Sequence, residues 1–205
     1  MSKRTERSPR GGRRAGYDDP HWLRQREFEA IEELGRIREP LFRELTKLRQ
    51  HSKRQGPVRP GASGESEPAG EQPHRCCQRQ LNQMRISPLE ARAIASAFRT
   101  IPTLSAKLPA VLDRLRTELE GLQDGEERQN FDCPLLEGTE CLVHDAAKPI
   151  GCTAWNAGRD FSKAGWKAFE ERDRLNDRLY GPHWKLRVIP MWLKRVLRKQ
   201  LNRKQ

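Results

Sequence analysis

All five cysteines of this chain lie in two places, and that distribution constrains the fold more than any other feature of the sequence. One place is the adjacent pair Cys76 and Cys77. The other is CPLLEGTECLVHDAAKPIGC, where Cys133, Cys141 and Cys152 are spaced C-x7-C-x10-C, with Gly138, Pro149 and Gly151 as turn formers between them. Thiolates gathered by tight turns are the usual way for a small domain to present sulfur to a soft metal, either Zn²⁺ or an iron–sulfur cluster. Disulfides and inert buried thiols are the competing readings. An odd count and neighbouring cysteines that do not easily bridge each other weigh against a disulfide framework. The expected ligands are Cys133, Cys141 and Cys152 with at least one of Cys76 and Cys77, and His74 and His144 are reserve ligands. The cysteine count does not separate zinc from iron. His21, His51 and His183 fall outside the cluster and are expected to face solvent.

Composition limits how much of the chain can join such a domain. Of the 205 residues, 35% are hydrophobic and 33% charged, so only part of the sequence can build a core. The net charge of +12 is concentrated at the ends: residues 1–16 carry +5 and residues 183–205 carry +8 with no acidic residue, leaving −1 on the 166 residues between. These basic tails suit a nucleic acid or an acidic partner, although most such arms are simply solvated. No apolar run approaches the length of a membrane span. The opening MSKRTERSPRGGRR has no apolar segment behind its charges, so no secretory signal is expected. The cytoplasm, where thiols stay reduced, is the expected compartment.

Read in order, the chain divides into five parts. Residues 1–20 form a basic tail without apolar periodicity, expected to be disordered. Residues 21–54 form a helical extension with Phe28, Ile31, Leu34, Ile37, Leu41, Leu45 and Leu48 recurring every three or four positions. Pro40 predicts a kink, or two helices meeting there. Residues 55–73 hold four glycines and four prolines and read as a flexible linker. Residues 74–157 form the cysteine-cluster domain. Within it, Ser87-Pro88-Leu89-Glu90 predicts a capped helix that Pro102 ends, and a second helix runs from Ala106 to Leu122 with Pro109 in its first turn. Glu140 to His144 reads as a short strand or extended turn, Asp145 to Lys148 as one helical turn, and Trp155 as the close of the domain. Residues 158–205 supply a helix from Asp160 to Tyr180, broken by Gly181-Pro182, and a last helix from Pro190 to Leu201. The fold expected is mostly α: a small helical domain with an irregular cysteine-rich metal-binding loop region, flanked by the helical extension and basic tails.

These residues resemble the cysteine-cluster family described as zinc- or iron-chelating and named for a CxxCxxCC opening. The likeness spans residues 74–157. It rests on the Cys76-Cys77 pair, on the helix start ISPLEARAIASAF with Glu90 in place, and on a late block matched at Cys133, Pro134, Leu136, Cys141, Val143, His144, Pro149 and Cys152. The chain departs from the pattern ahead of the pair, where the family carries further cysteines and this chain has His74. At His144 the family carries tyrosine, which favours a packing or hydrogen-bonding role for this ring. The resemblance implies a metal-binding protein of structural or sensor type. Similar clusters in flagellin lysine methylases make a cluster-dependent methylase-like or redox enzyme the alternative, and a nucleic-acid-associated protein acting through its basic tails is a second one. No phosphate-cradling glycine loop, G-x-S-x-G elbow, H-E-x-x-H or dinucleotide fingerprint is present, so the sequence leans away from an enzyme without deciding the question.

Overall fold

Ser87, Pro88 and Glu90 start the helix around which the others pack. The computed structural model describes residues 20–54, 77–79, 82–122, 130–155 and 163–202. The tail 1–19, the linker 55–73, His74, Cys76, residues 123–129 and the predicted helix start at Asp160 lie outside the described residues, as do the side chains of His21, Leu45, Leu48, His51 and Trp155.

The fold is mostly α, as the sequence predicts. In chain order the elements are α1 (Pro20–Arg54), β1 (Arg85–Ile86), α2 (Pro88–Thr100), α3 (Pro102–Gly121), β2 (Leu136–Glu137), β3 (Glu140–Cys141), α4 (His144–Ala147), α5 (Ile150–Trp155), α6 (Lys163–Tyr180), β4 (Arg187–Val188), α7 (Ile189–Val196) and α8 (Arg198–Leu201). The strands form two antiparallel pairs. β1 meets β4 with Arg85 opposite Val188, and β2 meets β3 with Leu136 opposite Cys141.

Helix α2 is the hub. The Ser87 hydroxyl accepts from the Glu90 amide, and the Glu90 carboxylate accepts from the Ser87 amide in return, which completes the capping box. Leu89, Ile94 and Phe98 are fully buried, and so are Ala91, Ala93, Ala95 and Ala97. A helix buried on nearly every side needs small residues so that several neighbours can approach its backbone, and the four alanines meet that need. α1, α3, α4, α6 and α7 all pack against it.

Several boundaries differ from the sequence reading for identifiable reasons. α1 runs unbroken through Pro40 as one helix, and Leu34 and Leu41, buried on either side, anchor both halves. Its inward face is Ala30, Leu34, Arg38 and Leu41, while Phe28 is 54% exposed. Pro102 both stops α2 and opens α3, because proline lacks the amide that a first-turn position leaves unbonded anyway. α3 therefore starts before Ala106, and Pro109 stands inside it. The last helix is two pieces joined at Leu197, whose amide still reaches the Leu193 carbonyl at 2.9 Å. Gly181 ends α6 with φ +74°, the left-handed conformation that glycine adopts without penalty, and its amide bonds the Asp177 carbonyl at 3.0 Å.

A candidate metal centre

The two cysteine stretches, far apart in sequence, are joined by a direct backbone contact. The Cys133 amide donates to the Cys77 carbonyl at 2.9 Å. Buried Asn82 reinforces the join: its side-chain nitrogen donates to the same Cys77 carbonyl at 3.4 Å, and its backbone carbonyl accepts from Phe131 at 3.3 Å. Its side-chain oxygen also accepts from the Met84 amide at 3.0 Å, so Asn82 fixes the segment after Cys77 and, through its backbone carbonyl, ties it to Phe131.

A charged clasp lies beside this contact. Arg79 donates from its amide to Asp132 at 2.8 Å and from its guanidinium to both oxygens of Glu118 at 2.8 and 3.0 Å. Glu118, buried on α3, also accepts from the Asp132 amide at 3.1 Å. Glu118 thus holds the residues just after Cys77 and just before Cys133 together. Asp132, directly before Cys133, serves as half of that clasp. Arg114 of α3 donates to the Pro134 carbonyl at 3.0 Å and fixes the turn that follows Cys133.

From that turn the chain enters the β2–β3 hairpin. Leu136 donates back to the Cys133 carbonyl at 3.0 Å, and Cys141 pairs with Leu136 across the ladder. Gly138 in the hairpin turn has φ +58°. Cys133 is buried and Cys141 half-buried.

Cys152 is buried on the short helix α5. The start of α5 is held by Glu90, whose second carboxylate oxygen accepts from the Ile150 amide at 2.8 Å. Glu90 is 2% exposed and lies 3.9 Å from the Arg172 guanidinium of α6. One side chain therefore fixes the starts of α2 and α5 and faces α6. On its other side α5 approaches the segment after Cys77: a Cβ on Gly151 would stand 3.7 Å from the Met84 sulfur.

His144, the reserve ligand of the late block, has its Nδ1 3.2 Å from Nζ of buried Lys148, and its ring meets the edge of Phe42 at 5.6 Å. The Arg38 guanidinium donates to the carbonyls of Ala146 at 2.9 Å and Lys148 at 3.2 Å, so α1 closes the turn leading to Pro149. Burial lowers the Arg38 pKa, and the charge of Glu90 opposes that shift.

Of the sequence-predicted ligands, Cys77 and Cys133 are brought together, Cys141 follows one hairpin away, and Cys152 stands on the helix that Glu90 positions. His74 and Cys76 lie outside the described residues. Among the described residues, no three His, Cys, Asp or Glu side chains stand close enough together to hold a metal ion. Asn82, Glu118 and Arg38 are the site-building residues that sequence reasoning missed. The signal for Glu118 was present: a carboxylate three residues after Leu115, within an otherwise leucine-lined face. Comparison of the chain with protein-family models, with curated proteins and with solved structures found no match.

Proposed function

We propose that this chain binds a thiophilic metal, zinc or iron including an iron–sulfur cluster, through Cys77, Cys133, Cys141 and Cys152 together with Cys76, in a structural or sensor role. The Cys133 amide donating to the Cys77 carbonyl is the observation that carries this reading, because it joins two stretches that between them hold every cysteine in the chain. Helix α5 and the β2–β3 hairpin lead the remaining two thiols out of the same neighbourhood. The described residues gather no group of three such ligands, and this reading therefore calls on Cys76 as a further ligand. Binding of that kind is coupled to folding, and for structural zinc its apparent free energy is on the order of 10 kcal/mol.

The test is protein purified without oxygen, with metal measured by mass spectrometry, an absorption spectrum and a thiol titration in the folded state. The expected result is stoichiometric zinc or iron with protected thiols, a brown protein indicating an iron–sulfur cluster and a colourless one zinc. Sub-stoichiometric metal with all five thiols titrating freely would sink the proposal.

A further inference from the structure

Helices α7 and α8 separate their residues sharply by chemistry. Leu193 and Leu197 are 0% and 1% exposed and point into the core. At about 100° per residue, Arg195, Arg198 and Lys199 fall on the opposite side and Lys194 on the flank, and all four are exposed. The Leu197 and Leu201 amides bond the Leu193 and Leu197 carbonyls at 2.9 Å, so helical spacing persists across the junction and the four cations form two adjacent rows. None of the four makes an ion pair with a described residue. No acid occurs anywhere between residues 183 and 205; on the neighbouring α3 the Asp113 and Glu118 carboxylates are already engaged by Arg116 and Arg79, and Glu120 is exposed and makes no ion pair with a described residue.

We propose that this quartet docks the phosphate backbone of a nucleic-acid duplex. Four unneutralised cations held on a buried scaffold complement a polyanion that carries one charge per about 1.7 Å of axis. A lipid surface fits less well, because an interfacial helix must insert its apolar face, and here Leu193 and Leu197 are spent on the core. A single strand also fits less well. Single-strand sites pair cations with open aromatic faces, whereas Trp192 is half-buried, donates to the Lys185 carbonyl at 3.3 Å and has Arg195 stacked 5.2 Å above its ring. Contacts of this kind are sequence-independent and dominated by counterion release.

The experiment titrates a mixed-sequence DNA duplex with the full chain and with the variant Lys194→Gln, Arg195→Gln, Arg198→Gln, Lys199→Gln. Single-stranded RNA and phosphatidylserine vesicles are run as parallel arms. The full chain should lose about 100-fold in affinity between about 50 and about 200 mM salt, and the variant's salt slope should be shallower by about 3–4 if each cation meets one phosphate. The double variant Arg198→Gln, Lys199→Gln keeps more of the helix intact and should show about half that change in slope. Circular dichroism checks that both variants stay helical. Absence of duplex binding at the lower salt, an unchanged slope in both variants, or preference for the single strand or the vesicles would each overturn the proposal.

Discussion

Glu90 shows how much positional information one buried carboxylate can carry. Its two oxygens accept from the Ser87 and Ile150 amides, and the Arg172 guanidinium balances its charge. Replacing it with alanine strands two buried amides, while Arg172 keeps its closer partner Asp173 at 2.7 Å, so the expected loss is about 2–4 kcal/mol from the two unmet donors. Chemical denaturation of Glu90→Ala is expected to show that loss, with Glu90→Gln falling between it and the parent because one carbonyl acceptor survives. The Glu90 link to Ile150 also predicts that Cys152 reacts faster with a thiol reagent in Glu90→Ala under conditions where the protein stays folded. A parent-like midpoint for the alanine variant would contradict the keystone role of Glu90.

At the scale of elements, the β2–β3 hairpin depends on one backbone conformation. A Cβ on Gly138 meets nothing within 4 Å, so the cost of Gly138→Ala comes from φ +58° alone and is about 1 kcal/mol. The loss should appear as faster amide exchange at Leu142, which bonds the Leu135 carbonyl, with α2 amides unchanged; uniform loss across the molecule would show that the hairpin does not open separately. Legibility in the sequence follows the range of the interactions involved. The start of α2 is readable because a capping box is made within four consecutive residues, and the end of α6 because Gly181-Pro182 acts locally. α1 was readable as a helix, and Leu34 and Leu41 of its apolar stripe are buried, but the inward place of Arg38 was not readable. Arg38 occupies an inward position that the apolar pattern assigns to solvent, and its partners, the Ala146 and Lys148 carbonyls, lie more than a hundred residues away. The clustering of cysteines was visible from spacing. The clasp that joins the clusters was not, since Asn82, Glu118 and Asp132 reveal their partners only once the chain is folded.

Across the whole molecule, the first helix is held by α6, far along the chain. Tyr180 on α6 donates to Glu27 on α1 at 3.2 Å, and Arg178 donates to Glu33 at 2.6 Å. Burial raises the Tyr180 pKa above the ordinary phenol value, the neighbouring Glu27 charge raises it further, and Arg92 opposes both. A raised folded-state value means that the stabilisation is complete below about pH 10, where the unfolded phenol is still protonated, and is lost as pH climbs above that toward the folded value. Urea unfolding from about pH 9 to about pH 11 should therefore show an alkaline decline that Tyr180→Phe reduces; equal declines would remove Tyr180 as its source. The same pairing sets an order of events during synthesis. α1 leaves the ribosome first, yet Glu33 finds Arg178 only after 145 further positions have been translated, a wait of about 10–30 s at usual elongation rates. Through that interval α1 has no α6 to pack against, so the nascent chain offers chaperones a helix face that the finished fold covers.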